Sequence, residues 1–217
     1  MTLDTHAEAS YRLARLAGLI PGCGFHRYVL VAQPRAGLPA MPRGFTVTPL
    51  TDDELAGTPL DTPAEAVRHR RAMGATCLAA RDAHGTITGF LWLTDRPFRE
   101  DEIDLWYEPG AHAAWDMGLY VRPAFRLGRS YAALWAGAAD WLAARGLDWS
   151  LSRITDYNAA SLAAQARMGG RKVGTVWALT VGRWQLTAST LSPNWRWHRV
   201  GGDAAPRLAL GAVVPAA

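Results

Sequence analysis

Two stretches of the chain combine residue types that could bind a charged group and act on it. In the first, Val121-Arg122-Pro123 ends an apolar run, and Ala124-Phe125-Arg126-Leu127-Gly128-Arg129 leads into a long helical pattern that starts at Ser130-Tyr131. A loop entering a helix presents unpartnered N–H groups and the positive end of the helix dipole, so it can cradle a diphosphate. Arg122, Arg126 and Arg129 add positive charge where such a ligand would sit. In the second stretch, residues 158–169, Asn158 and Ser161 open another helix that Gly169-Gly170 ends. Ser161 reads equally well as a first-turn hydroxyl bonded to the backbone. Two carboxylate sources stand nearby. Asp116 lies between Trp115 and Met117, which would strip it of water and raise its pKa. In Arg99-Glu100-Asp101-Glu102-Ile103-Asp104, Glu102 and Asp104 alternate with Ile103 and would share one face of a strand.

In this order and at this distance, the two stretches resemble the motifs of the GNAT superfamily of acyl-CoA-dependent N-acyltransferases. Val121, Pro123, Arg126 and Leu134 fall in register with the first family motif, and Asn158, Ser161 and Gly169 with the second. The resemblance implies an α/β fold of mixed type, with a central mixed sheet whose middle strands, here 115–121 and 149–154, splay apart and are flanked by helices. A pantetheine arm would lie between those strands, hydrogen-bonded by Asn158. The diphosphate would rest on the loop that follows Val121, formed by Arg126, Leu127, Gly128, Arg129, Ser130 and Tyr131. A main-chain N–H near Leu119 would polarise the thioester carbonyl, the oxyanion role in acyl transfer.

The implied reaction moves an acetyl or other short acyl group from acetyl-CoA, or another acyl-CoA, to a small-molecule amine. The amine attacks directly in a ternary complex, with acyl-CoA as co-substrate and no metal. The attacking amine must be neutral, so Asp116 or Glu102 would accept its proton. In the second reading of residues 99–104, they are a solvated edge; in the first they draw a cationic amine. Two departures stand out. Leu127, Arg129 and Tyr131 occupy positions where the family prefers glycine, and Gln165 stands where a proton-donating tyrosine is frequent. Ser161 is then the candidate donor to the leaving thiolate. The departures keep two alternatives open: long-chain acyl transfer from acyl-CoA or from an acyl carrier protein, whose acidic surface would meet the loop arginines, and a GNAT-like binding module without turnover.

Composition narrows the classes further. The chain has 217 residues, 49% of them hydrophobic and 19% charged, a globular balance. The formal charge is +4, and of the 23 basic residues only Lys172 is lysine. That excess does not call for nucleic acid, and no base-reading motif accompanies it. No apolar run approaches the roughly 20 residues of a membrane span. Residues 1–10 carry Asp4 and Glu8 and lack a signal-peptide pattern, so the expected compartment is the cytoplasm. Cys23 and Cys77 form no disulfide framework, and no His/Cys spacing reads as a metal site. Ten tryptophans predict a large aromatic share of the core or a cleft.

The elements that must position these residues follow from periodicity and punctuation. Residues 7–20 have helical spacing and 25–33 read as a strand; with the Pro/Gly linker that ends at Gly44 they form an N-terminal extension, 1–44. The sequence leaves open whether the extension caps the core or makes a homodimer contact. A GNAT-like domain is expected over 45–190, in the order β-α-α-β-β-β-α-β-α-β-β. It includes a capping box at Thr51–Glu54, a hairpin around Asp82–Gly85, an extra strand over 103–107 and a helix over 130–145 closed by Gly146. Residues 191–217, with Trp195-Arg196-Trp197, are read as an irregular tail.

Overall fold

The computed structural model describes residues 5–60, 62–126 and 128–214. The first half runs α1 (Thr5–Ala17), β1 (Cys23–Pro34), β2 (Thr46–Pro49), α2 (Asp52–Gly57), α3 (Ala64–Ala72), β3 (Thr76–Arg81), β4 (Ile87–Thr94), β5 (Phe98–Arg99) and β6 (Trp106–Glu108). The second half runs β7 (Ala113–Val121), α4 (Ser130–Ala143), β8 (Trp149–Thr155), α5 (Ala159–Arg167), β9 (Arg171–Val181), β10 (Trp184–Ser189), β11 (Trp195–Arg199) and β12 (Arg207–Ala209). Nine strands form one mixed sheet in the order β11-β10-β9-β1-β8-β7-β4-β3-β2. Its one parallel ladder joins β7 to β8. A small second sheet, β12-β6-β5, stands apart. This is the mixed α/β class expected from the sequence.

Local signals explain most boundaries. Thr51 and Glu54 complete the capping box at the start of α2. The β3–β4 turn is held by Asp82, whose Oδ1 accepts from the N–H groups of His84 and Thr86 at 2.9 Å each. Gly146 ends α4 at φ +66°, a conformation that side chains disfavour.

Three apolar layers fix the sheet. α4 packs Leu134, Trp135 and Leu142 against Leu78, Leu91 and Leu93 on one face. On the other face, Leu55 from α2 joins Cys77, Phe90 and Trp92, with Val67 of α3 at the margin. Further along that face, Tyr28, Leu30, Trp115 and Leu151 pack on Phe98, Leu105, Tyr107 and Leu208. No helix among the described residues is long and apolar enough to cross a membrane.

The structure differs from the sequence reading in four places. The strand of the N-terminal extension neither caps the sheet nor sits at its rim: β1 lies inside it, paired with β8 on one side and β9 on the other. Residues 101–104 are bends, so Glu102 and Asp104 do not share a strand face; the short strand there is β6, which pairs with β5. The stretch 191–217 is not irregular throughout. Its β11 adds to the edge of β10, and its β12 pairs in parallel with β6. Finally, the tryptophans divide. Trp92, Trp115, Trp135, Trp141 and Trp149 are buried, whereas Trp177, Trp184, Trp195 and Trp197 lie exposed. Period-two alternation puts those four on one face of β9-β10-β11.

Candidate functional site

β7 and β8 run together only from Ala113–Trp149 to Asp116–Ser152. Beyond that point β7 continues to Val121 on β4, and β8 continues to Thr155 on β1. Each strand follows its outer neighbour, so a gap opens between residues 117–119 and 153–155. A bulge contributes: Leu93 faces Asp116, Trp92 faces Gly118, and Met117 is the extra residue. Gly118 sits at φ +134°, a region closed to side-chain-bearing residues without strain, and its N–H donates to Asp116 Oδ1 at 2.8 Å.

The gap opens into a cavity of about 290 Å³ between the strand ends and the helices α4 and α5. Asp116, Leu119, Tyr131, Asn158 and Ser161, all singled out by the sequence, line it together with Ser152, Arg153, Thr155 and Gln165. Asn158 caps α5, its Oδ1 accepting from the Ser161 N–H at 3.1 Å. The backbone-capping role read for Ser161 thus belongs to Asn158. Ser152 Oγ and Gln165 Oε1 are buried in this lining without a hydrogen-bond partner among the described residues, so the cavity is bordered by polar atoms that no described residue satisfies. Asp116 is buried, and loss of hydration pushes its carboxyl up to about 7, against the opposing Gly118 N–H and the charges of Arg70 and Arg153.

Other predicted residues lie elsewhere. Leu127 falls outside the described residues. Val121 packs against the α4 layer. Arg126, Gly128 and Arg129 are exposed, and Ser130 is buried at the first turn of α4, its hydroxyl without a partner among the described residues. The loop arginines do not converge: Arg122 lies over Phe90, Arg129 over Phe45, and Arg126 Nε bonds the Val121 carbonyl at 3.3 Å.

Glu102 does not reach the cavity. It binds Arg153 at 2.8 Å and accepts from the Tyr28 hydroxyl at 2.6 Å. Burial works against its charge, but Arg153, Tyr28 and His26 outweigh burial and hold its carboxyl below the usual range. The rest of the acidic run is engaged too. Glu100 makes a two-point pair with Arg153 at 2.7 and 3.1 Å, Asp101 meets Arg70, and Asp104 meets Arg99. The run is therefore paired with arginines throughout, although Asp101 and Glu102 remain exposed to solvent. Sequence reasoning missed Arg153, the hub of this network and part of the cavity lining. Its signal was present: one charged residue in the otherwise uncharged strand β8.

A second, smaller cavity of about 170 Å³ opens beside Met117, Gly118 and Leu119, which also line the first. Its other walls are Phe90 and Trp92, from the layer under α2 and α3, with Arg70 of α3. The bulged segment of β7 thus borders two cavities. Among the described residues no three His, Cys, Asp or Glu side chains gather so as to hold a metal ion.

No family model and no curated protein matches the chain. Among solved structures, a functionally unknown conserved protein from Staphylococcus epidermidis is 11% identical, with a TM-score of 0.52 over 84% of this chain and 69% of the other. A Drosophila protein is 13% identical, with a TM-score of 0.50 over 83% of this chain and 59% of the other. The tandem GNAT protein of the clavulanic acid biosynthesis pathway aligns at a TM-score of 0.48 and 16% identity, over 88% and 59% of the two chains. Against the Drosophila structure the chain spans about three fifths of the partner's length. The first two likenesses are likenesses of fold.

Proposed function

We propose that this chain is a GNAT-like acyltransferase that moves an acetyl or other short acyl group from an acyl-CoA to an amine, by direct attack in a ternary complex. One observation carries the reading: the two parallel strands part at a bulge, and the parted segment of β7 borders a cavity from each side. A thioester threaded through the gap would present its carbonyl to an amine arriving from the second cavity.

Roles follow from position. The Leu119 main-chain N–H polarises the carbonyl. Asn158, Ser152 and Gln165 supply polar partners for an amide-bearing arm, and the first turn of α4 receives the diphosphate. The amine nitrogen bonds to the carbonyl carbon, the C–S bond breaks, Asp116 accepts the amine proton, and the thiolate is protonated by Ser161 or a water that it orders. Arg126 and Arg129, exposed at the mouth of α4, favour a second reading in which an acidic acyl carrier protein delivers the acyl group.

Titration calorimetry with acetyl-CoA, CoA and a long-chain acyl-CoA tests the assignment, together with turnover on an amine panel. Acetyl-CoA at about 100 times Kd should stabilise the fold by near 3 kcal/mol. Activity with acyl carrier protein alone selects the second reading. Saturable binding without transfer to any amine, or an acyl adduct on the protein, overturns direct transfer.

A further inference from the structure

The smaller cavity has a chemistry of its own. Aromatic rings of Phe90, Trp92 and Tyr120 form its walls, and among the described residues no carboxylate side chain lines it. Its charged group is Arg70. That guanidinium is mostly buried, and it presents Nε and Nη2 to Asp101 Oδ2 at 3.0 Å each, while Nη1 has no partner among the described residues. Trp92 is 2% exposed, and its indole N–H is buried with no acceptor among the described residues. A buried donor left unpaired is costly and uncommon, so an acceptor from outside the protein has something to satisfy. The Arg70 cation also stands over the Trp92 ring, 5.8 Å from its centroid.

The acidic side chains of residues 100–104 are each paired with an arginine. Glu100 and Glu102 are held by Arg153, Asp101 by Arg70 and Asp104 by Arg99. An anionic group finds a guanidinium edge and an N–H on this side. A planar carboxylate is the group such a fork fits. The volume of about 170 Å³ suits a small group, since water occupies about 30 Å³ per molecule.

We propose that this cavity seats a carboxylate of the acceptor, bound by Arg70 Nη1 and the Trp92 indole N–H, so that the substrate class is a small amino acid or another amine that carries a carboxylate. The acceptor nitrogen then points toward Met117–Leu119. The assignment of the carboxylate to an acyl acceptor rests on the acyl-transfer reading; carboxylate binding itself does not.

The test therefore begins with binding. In the full chain labelled with ¹⁵N, the indole resonance of Trp92, identified by its loss in Trp92→Phe, is followed while β-alanine, phenylalanine or propionate is added, and ethylamine and phenethylamine serve as matched probes without the carboxylate. The carboxylates should shift that resonance and the plain amines should not. Arg70→Gln should abolish the shift while the other indole resonances stay in place, which shows that the variant is folded. With acetyl-CoA present, transfer to the carboxylate member of a matched pair should exceed transfer to its partner by roughly a hundredfold or more. Arg70→Gln should bring that ratio toward one, mainly through KM.

Silence of the Trp92 resonance toward every carboxylate at high millimolar concentration overturns the proposal. So does a carboxylate preference that survives both Arg70→Gln and Trp92→Phe, because the anion is then held elsewhere. If carboxylates bind at Trp92 but no acyl-CoA binds or reacts, the acyl-transfer reading fails while the carboxylate site stands.

Discussion

Asp116 ties activity and stability to pH in opposite senses. Its folded-state pKa of about 7 lies above the usual carboxylate value of 3.8, and loss of hydration is the main cause. The folded protein thus binds this proton more tightly than the unfolded chain does. The stability it confers is full below the unfolded value and is lost as pH rises through about 7. A base must instead be ionised, so kcat/KM for acyl transfer should rise with pH through the same range. Asp116→Asn keeps an acceptor for the Gly118 N–H and removes both effects. Transfer should fall by about 10²–10⁴. Denaturant midpoints should be higher than wild type at pH 8, and the gap should narrow as pH falls through 7 and close only toward the unfolded value of 3.8. Glu100 is also raised by burial and lowers stability in the same direction, so the comparison that isolates Asp116 is variant against wild type at each pH. Equal rates for both proteins would remove Asp116 from the chemistry. The site of this carboxylate was legible, because flanking Trp115 and Met117 signalled dehydration; its hydrogen bond to Gly118 was not, because a bulge leaves no mark in the sequence beyond a glycine.

Between elements, the decisive link is Arg153 of β8 with Glu100 of the β5–β6 connection. Glu100 is buried and Arg153 mostly so, and Arg153 also meets Glu102 and lies over the Tyr28 ring of β1, 4.3 Å from its centroid. Truncating one member of a buried pair strands the other, so Arg153→Ala should cost about 3–5 kcal/mol in urea unfolding. Glu100→Leu combined with Arg153→Met should recover most of that loss, and a double variant as unstable as Arg153→Ala would refute the account. A second link is the bulge of β7. Gly118→Ala forces a side chain into a conformation costing about 1–3 kcal/mol, and relaxation would close the gap between β7 and β8. Loss of acyl-CoA binding beyond what the stability change explains is the expected signature. The sequence showed these elements unevenly. Helices α4 and α5 announced themselves through stripes, caps and glycine stops, as did the hairpins. The bends at 101–104 did not, since alternation of Glu102, Ile103 and Asp104 mimics a strand while each carboxylate is turned to a different arginine by distant contacts.

At the scale of the whole molecule, the ends of the chain complete the sheet. β1 exchanges hydrogen bonds with β8 over residues 28–34 and with β9 over residues 23–32, so the strand that lines the candidate cavity is braced by residues far upstream. β11 extends the opposite margin, and Gln185 of β10 bonds the main chain of Asp104 in both directions, at 2.9 and 3.0 Å. Local patterning predicted β1 as a strand but could not show its place, because pairing partners over 100 residues apart leave no periodic trace near either strand. A Pro/Gly linker after it looks like a boundary in sequence and is only a crossover in space. The consequence is testable by cutting the chain there. A fragment beginning at Phe45 would leave inner edges of β8 and β9 without partners and expose Leu151, Val176 and Ala178, which now pack with Tyr28 and Leu30. It should be aggregated or lack a cooperative thermal transition. A peptide spanning residues 20–36, added during refolding, should restore the transition and acyl-CoA binding together, whereas the same peptide with Leu30→Asp should not. A fragment from Phe45 that melts cooperatively and binds acyl-CoA as the full chain does would show that β7 and β8 hold their geometry without β1, and the bracing role argued from the register would have to be abandoned.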